Sequence, residues 1–572
     1  MTSAFDRFMS RALHRAAEPL VRTRLVLMRD GVQLAADVYL PDDTGAPAPA
    51  IVTVTPYDRR NPGLIVDEAR YYAAHGYAFV AVDTRGRGQS DGEWAAFVHD
   101  AEDTYDVIEW TAAQSWCDGA VGMTGLSYMG WVQWAAAALR PPHLRCLVST
   151  SACGRWQQEI PYTNGVFQLF FVWWCWRLRG RAITSPSSDD PDWDKVLRHL
   201  PVGELGELLD LPGSTWPTLM AHDVLDEFWS RLRLDGRYQL IDVPCLHVTG
   251  WHDLEDLLGA MHHYERMVAD SPAADRQRLL VGPWSHLKSR FPASQYAGED
   301  LGEDAAVDMD AVHLRWFDHW LRGAENGVPA EPKVRVFELG SNRWRTADRW
   351  PLSTTDTLLH LGFDGAEGTL TATGRGGYRR FRYDPEDPVP TQFDLATYPV
   401  SDVALDQTEI ERRPDVLTYT TEPLTEPLTV SGKPELQLNA STDGEDTDWH
   451  VKLTDVRPDG RSIQVTRGCL RAAHRDDPAL PTALVPGQAY RFDLELWPTQ
   501  HTFAAGHRIR VTVTSSDFPW FARNLNRFGP IATAIDPRIA VNTVYPSRLR
   551  LPTESPGAEL GTQPPAEGPS DD

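Results

Sequence analysis

The chain has 572 residues, with 80 acidic against 55 basic side chains and a formal charge of −25. That length exceeds one compact core and calls for two or three domains. The charge opposes nucleic-acid contact, which needs clustered Lys and Arg, and the longest apolar run, Val166 to Trp176, is too short to span a bilayer.

The opening M-T-S-A-F-D-R-F-M-S-R-A-L-H-R-A-A lacks the apolar segment of a signal peptide and reads as a short basic surface helix. A cytoplasmic protein without membrane attachment is expected. The six cysteines, Cys117, Cys146, Cys153, Cys175, Cys245 and Cys469, show no framework spacing and read as reduced core residues. L-V-L-M-R-D-G-V-Q-L-A-A-D-V-Y-L is a strand pair turning at Asp30-Gly31. Alternating strands and helices follow to about Ser151, the rhythm of a largely parallel sheet. V-T-V-T-P-Y ends a strand from Ile51 to Thr55 with Tyr57 just beyond it. R-G-R-G-Q-S-D-G-E, from Arg85, lacks the G-K-[ST] ending of a phosphate loop and reads as a glycine-rich turn.

V-G-M-T-G-L-S-Y-M-G, Val121 to Gly130, then reads as a buried strand entering an alanine-rich helix, with Ser127 in the turn. A serine so placed is pushed out of the sheet, and the N–H of the next residue points into the same space. The serine needs a base to take its proton, and the base needs a carboxylate to fix its tautomer. In the order Ser, acid, His, the partners lie downstream. V-P-C-L-H-V-T-G-W-H-D carries an apolar run from Val243 to Thr249 and then Asp253, and R-L-L-V-G-P-W-S-H carries a run from Leu279 to Val281 and then His286. Of the neighbouring histidines, His262 and His263 fall on a helix and His247 inside a strand. No cysteine pair or H-E-x-x-H supports a metal site.

G-L-S-Y-M-G, G-W-H-D and G-P-W-S-H together resemble the cocaine esterase and X-prolyl dipeptidyl-peptidase group of serine hydrolases, which includes glutaryl-cephalosporin acylases and α-amino-acid ester hydrolases. The resemblance spans roughly Thr23 to Tyr545 and implies an α/β-hydrolase fold with an inserted cap and a C-terminal jelly roll. It implies Ser127 as nucleophile, Asp253 as orienting acid and His286 as base, working without cofactor or metal. It also implies an oxyanion hole made by the Tyr57 hydroxyl and the Tyr128 N–H; read from sequence alone, Tyr57 serves equally as a packing residue at a strand end.

The segment 154–240 interrupts the strand rhythm and is tryptophan-rich and helical, as a cap between hydrolase parts 1–153 and 241–331. Its aromatics, Trp156 and Trp173 among them, offer an apolar acyl pocket, although most residues at helical spacing pack the cap. Beside the acid stands D-L-E-D, Asp253 to Asp256. One reading is helix-start chemistry, since carboxylates favour a helix N-terminus. The other, from resemblance to α-amino-acid ester hydrolases, has Glu255 and Asp256 bind a substrate ammonium with Glu159 as a third acid. From 332 to 552, alternating runs such as K-V-R-V-F-E-L and W-H-V-K-L-T-D-V with Pro-Asp-Gly turns read as a β-sandwich, a jelly roll by the resemblance, and 553–572 reads as a disordered tail.

The expected activity is hydrolysis of a small ester or amide through an acyl-enzyme, with an amine-bearing acyl group in view. An acyltransferase using the same residues and a binding module on a hydrolase scaffold are the alternatives. The expected partner is a small molecule, not nucleic acid or membrane, with homo-oligomer formation left open.

Overall fold

The described residues begin with an antiparallel pair, β1 (Leu20–Leu27) and β2 (Gln33–Leu40), in a register that sets Leu27 opposite Gln33. This is the computed structural model of the chain, and it describes residues 20–554 apart from 42–45, 185–189, 212, 214, 365–366, 375, 394, 396–397 and 399–400. The basic segment at the start and the tail from 555 therefore lie outside the described residues.

Eight further strands complete the first sheet: β3 (Ala48–Thr55), β4 (Ala78–Asp83), β5 (Cys117–Leu126), β6 (Leu144–Thr150), β7 (Cys245–Gly250), β8 (Gln277–Gly282), β9 (Val334–Glu338) and β10 (Arg343–Ala347). Their order is β1-β2-β4-β3-β5-β6-β7-β8-β9-β10. All neighbours from β4 through β9 pair in parallel, and the two ends are antiparallel. A parallel sheet must be covered on both faces. Val52, Val80 and Val82 accordingly face one apolar cluster, and Ile51, Phe79 and Ala81 face another. The first cluster includes side chains of α2 (Asp100–Ala112), α3 (Tyr128–Ala137) and α5 (Leu257–Asp270). The second includes those of α1 (Asp67–Ala74) and α6 (Met309–Arg322).

Between β6 and β7 the chain leaves the sheet. It forms a small hairpin, Tyr162–Thr163 with Val166–Phe167, then α4 (Phe170–Arg177) and several helices of four to seven residues. Among the described residues, thirteen strands between Thr355 and Thr553 build the C-terminal domain around its own core, which includes Trp449, Leu438 and Val511. Its last strand runs through Thr553, one residue into the expected tail.

One assignment is corrected. Val334–Glu338 was expected in the C-terminal sandwich, but β9 pairs in parallel with β8, placing Leu279 opposite Val334, and β10 follows it on the edge of the first sheet. The first domain thus reaches Ala347 rather than 331. A half-exposed edge strand has the same period-2 alternation as a sandwich strand, so pattern alone does not separate them.

Candidate active site

β5 delivers Ser127 into a backbone conformation rare for any residue but glycine, φ 64° and ψ −126°. Such a conformation costs on the order of 1–3 kcal/mol and persists only where the surroundings hold it. Here the Ser127 N–H donates to the Thr150 carbonyl of the adjacent strand (3.0 Å), and the Ser127 carbonyl accepts from Gly130 (2.7 Å) and Trp131 (3.0 Å). The flanking glycines make the turn feasible. A Cβ on Gly125 would stand 2.5 Å from that of Met129, and one on Gly130 would stand 2.9 Å from both the Thr150 carbonyl and the Ala152 Cβ. The helix contacts that demand glycine fall at positions −2 and +3 from the serine, which is why Met129 is tolerated at +2.

Tyr128 opens α3, so its N–H belongs to the first turn and has no intrahelical acceptor. Its ring is held elsewhere: the hydroxyl donates to Asp100 Oδ2 (2.7 Å) and accepts from the Phe97 N–H (2.8 Å). Tyr57, two residues beyond β3, turns its hydroxyl toward the Ser127 hydroxyl and accepts from the Trp174 indole N–H at 3.4 Å. Burial pushes its phenol above the usual range, so it stays a proton donor. Behind it Arg87 spans two domains' worth of chain: Nε donates to the Pro56 carbonyl (2.8 Å), and Nη1 to the carbonyls of Leu178 (2.6 Å) and Gly180 at the end of α4.

The loops after β7 and β8 are stitched together, with Trp251 N–H on the Gly282 carbonyl (2.9 Å) and His252 N–H on that of Trp284 (3.0 Å). This brings His286 Nδ1 to 3.1 and 3.2 Å from the two oxygens of Asp253, which is fully buried. Asp253 Oδ1 also accepts the N–H groups of Glu255 (3.0 Å) and Asp256 (3.1 Å). Burial opposes ionisation of Asp253, but the His286 charge and these bonds hold its carboxyl below the usual range.

Two more carboxylates face the same imidazole. Glu255 Oε2 is 3.7 Å from His286 Nε2, and Asp256 Oδ2 is 3.9 Å from Nδ1. Burial disfavours the imidazolium, but Glu255, Asp253 and Asp256 together outweigh it and push His286 up to about 10. The acids themselves are raised: Glu255 by burial and Asp253, and Asp256 by burial and its three acidic neighbours Glu159, Asp253 and Glu255. Asp256 precedes α5, yet its side chain makes no capping hydrogen bond and instead lines the pocket beside Ser127. Helix-start chemistry therefore does not account for it.

The remaining pocket wall is aromatic and apolar: Phe97, Ile160, Phe170, Phe171 and Trp174, with Tyr57 and Tyr128. Three expected substrate residues sit elsewhere. Trp156 is fully buried among Phe97, Trp131 and Trp229, and Trp173 packs on Tyr398 and under the Arg177 guanidinium. Glu159 is behind the wall: its oxygens accept the N–H groups of Gly154 (3.0 Å), Arg155 (3.2 Å) and Gly259, tying the cap's entrance to α5. Both tryptophans are large enough that the cap's own core claims them.

Tyr398, from the C-terminal domain, was not singled out by sequence. It donates its hydroxyl to Glu255 Oε1 within a cage of Phe170, Trp173, Phe393 and Trp520. Nothing in L-A-T-Y-P-V marks it, because its partner lies 143 residues away. The competing histidines have other bonds. His263 lies between the Cys153 carbonyl and the Tyr238 hydroxyl, both at 2.9 Å, His247 meets Gln277 at 2.9 Å, and His252 stacks on Tyr296. No group of three or more His, Cys, Asp or Glu among the described residues could hold a metal ion, and no described helix is long and apolar enough to cross a membrane.

A strained serine at the end of a parallel strand, followed in chain order by acid and histidine loops, is the architecture of an α/β-hydrolase, and the class is serine hydrolase. Residues 30–288 match the X-Pro dipeptidyl-peptidase (S15) family and residues 326–533 the X-Pro dipeptidyl-peptidase C-terminal non-catalytic domain. The chain is 33% identical to the cocaine esterase of Rhodococcus sp. (strain MB1 Bresler), over 92% of this chain and 97% of that protein. It belongs to the S15 family of serine hydrolases. Among solved structures, an α-amino acid ester hydrolase superposes with a TM-score of 0.85 at 29% identity, covering 97% of this chain and 100% of that one. An aminopeptidase from a marine sediment archaeon, Thaumarchaeota archaeon, gives 0.85 at 27% identity, covering 94% of this chain and 97% of its own.

Proposed function

We propose that this protein hydrolyses an ester of a small acyl compound carrying an amine, through an acyl-enzyme on Ser127. The observation that carries the reading is the composition of one pocket, which Ser127, Tyr57, Glu255 and Asp256 line together with aromatic rings. In this reading Ser127 Oγ attacks the acyl carbonyl as His286 Nε2 takes its proton. The Tyr57 hydroxyl and the Tyr128 N–H hold the developing oxyanion. The leaving alcohol departs with the proton from His286, and water activated by the same imidazole releases the acid. Asp253 holds Nδ1–H, and Nε2 becomes free to act when a bound ammonium offsets the carboxylates that favour the imidazolium. The likeness to a cocaine esterase and to an α-amino acid ester hydrolase supports an ester as the bond cleaved. Glu255 and Asp256 supply the charge an ammonium needs, and the rings supply the apolar remainder.

The test has two arms. A fluorophosphonate probe should label Ser127 in the folded protein, and an unlabelled Ser127 ends the catalytic reading. Ser127→Ala and His286→Ala should each remove most of the chemical rate, and the double variant little more. Asp253→Asn should lower kcat by about 10³–10⁴-fold with the fold intact, through the wrong tautomer. Amine-bearing esters should then be preferred over their N-acylated counterparts; equal kcat/KM for the two would remove the ammonium from the proposal and leave an esterase.

A further inference from the structure

Phe97, in the turn before α2, is held at φ 70°, a backbone region that favours glycine. A residue with a side chain stays there only where its surroundings hold it. The Phe97 N–H donates to the Tyr128 hydroxyl at 2.8 Å, and that hydroxyl donates in turn to Asp100 Oδ2 at 2.7 Å. All three residues are buried, so solvent does not replace a partner that is lost. Asp100 is the first residue of α2, and its neighbour Asp103 takes the Arg85 guanidinium at 2.7 Å. Asp100 itself meets a neutral phenol. Burial pushes its carboxyl up to about 7, so it serves here as a hydrogen-bond acceptor rather than as a fixed charge.

Beyond this anchor the rings are stacked. Phe97 lies on Tyr128 with centroids 4.6 Å apart and planes 25° from parallel, and Trp174 of α4 lies on Phe97 at 6.1 Å and 5°. The Trp174 indole N–H then donates to the Tyr57 hydroxyl at 3.4 Å. One end of the stack therefore carries the Tyr128 N–H, and the other reaches the Tyr57 hydroxyl. These are the two oxyanion donors of the proposed mechanism, and Tyr57, Phe97, Tyr128 and Trp174 all line the pocket with Ser127. The Tyr128 N–H follows the strained Ser127 backbone and has no intrahelical acceptor. The helix ladder does not fix its direction, whereas an anchor at the far end of its ring limits how the residue can turn.

We propose that Asp100 is a positioning residue for the oxyanion hole: through the Tyr128 hydroxyl it locks the Tyr128–Phe97–Trp174 stack and so holds both donors at the spacing the transition state needs. The proposal rests on the reading of Ser127 as nucleophile with the Tyr57 hydroxyl and the Tyr128 N–H as donors. Asp100 touches no reacting atom. Oxyanion donors act on charge that develops in the transition state, so a displaced donor costs rate and leaves affinity for the uncleaved ester in place.

Tyr128→Phe removes one oxygen and leaves the ring and the backbone N–H. For an ester substrate its kcat should fall about tenfold or more. A trifluoromethyl ketone, which Ser127 attacks to give a tetrahedral oxyanion, reads the hole directly, and its Ki should rise about tenfold or more in parallel. The Kd of the uncleaved ester, measured in Ser127→Ala with and without Tyr128→Phe, should change by about twofold or less. Asp100→Leu should reproduce these losses. Asp100→Asn still offers a carbonyl oxygen to the phenol, so its kcat should stay within about threefold of the native value. A native kcat and Ki in Tyr128→Phe, a loss of ester affinity as large as the change in Ki, or an Asp100→Asn as impaired as Asp100→Leu would each overturn the proposal. Fluorophosphonate labelling separates its failure from that of the catalytic reading. An unlabelled Ser127 in the native protein removes the nucleophile itself, whereas a labelled Ser127 beside an unaffected Tyr128→Phe removes only the role of Asp100. Tyr128→Phe decides the question even if Asp100→Leu fails to fold.

Discussion

His286 is surrounded by more negative charge than a base requires. In the proposed mechanism Asp253 on Nδ1 fixes the tautomer, but Glu255 at 3.7 Å from Nε2 stands on the side from which the serine proton would be taken. A raised imidazole favours its protonated form in the free enzyme, and that form does not act as a base. The sign of the consequence is fixed: removing a neighbouring negative charge lowers the imidazole's pKa. For a neutral ester, the acid limb of kcat/KM should lie well above the ordinary histidine value of about 6.5. In Glu255→Gln and Asp256→Asn it should move to lower pH, and a pH-rate profile unchanged in both variants would refute the coupling. The same shift bears on stability. A folded-state value raised above the unfolded one stabilises fully below about pH 6.5 and is lost as pH rises toward 10. An ammonium bound between these acids and the base would act in the direction of the substitutions, freeing Nε2 when a cationic substrate is present.

At the scale of elements, the site is a set of strand ends, and the sequence exposed them unequally. The strand-end positions of Ser127, Asp253 and His286 were legible because each follows a short apolar run at a glycine, and strand C-termini are where parallel sheets place such groups. Tyr57 was legible as a strand-end residue, but not its contact with Trp174. The cap was legible as a break in rhythm, yet which of its rings line the pocket was not: Trp173 and Trp174 are neighbours on α4 and only Trp174 reaches Tyr57. One helical step of about 100° separates a pocket residue from a core residue, and composition carries no phase. Arg87 joins these elements by holding the carbonyl before Tyr57 and those that end α4. Arg87→Lys keeps the charge and loses the planar fork, so the Tyr57 loop and the cap are no longer held together. Steady-state kinetics should show kcat falling about tenfold or more with a smaller change in KM, since the oxyanion donor proposed for Tyr57 would act in the transition state. A change confined to KM would assign Arg87 to the cap alone.

Across the whole molecule, the C-terminal domain was legible as a β-sandwich from its alternation and turns, although its first expected strand belongs to the hydrolase sheet. Its part in the site was not legible, because a single side chain, Tyr398, makes the connection over 143 residues of sequence. That hydroxyl is the donor to Glu255, a carboxyl already raised by burial and Asp253. In Tyr398→Phe the acid loses a charge-assisted bond worth roughly 1.5–3 kcal/mol. Its proton is then held more tightly, and less negative charge remains to meet an ammonium. The cage of Phe170, Trp173, Phe393 and Trp520 is untouched by removing one oxygen, so the fold should hold. Amine-bearing esters should lose about tenfold or more in kcat/KM, N-acylated esters little, and fluorophosphonate labelling of Ser127 should persist. Equal losses on both ester classes would mean that Tyr398 only supports the pocket wall. A selective loss would make the second domain a working part of substrate choice, which explains why an enzyme whose chemistry sits on one sheet retains a further thirteen strands.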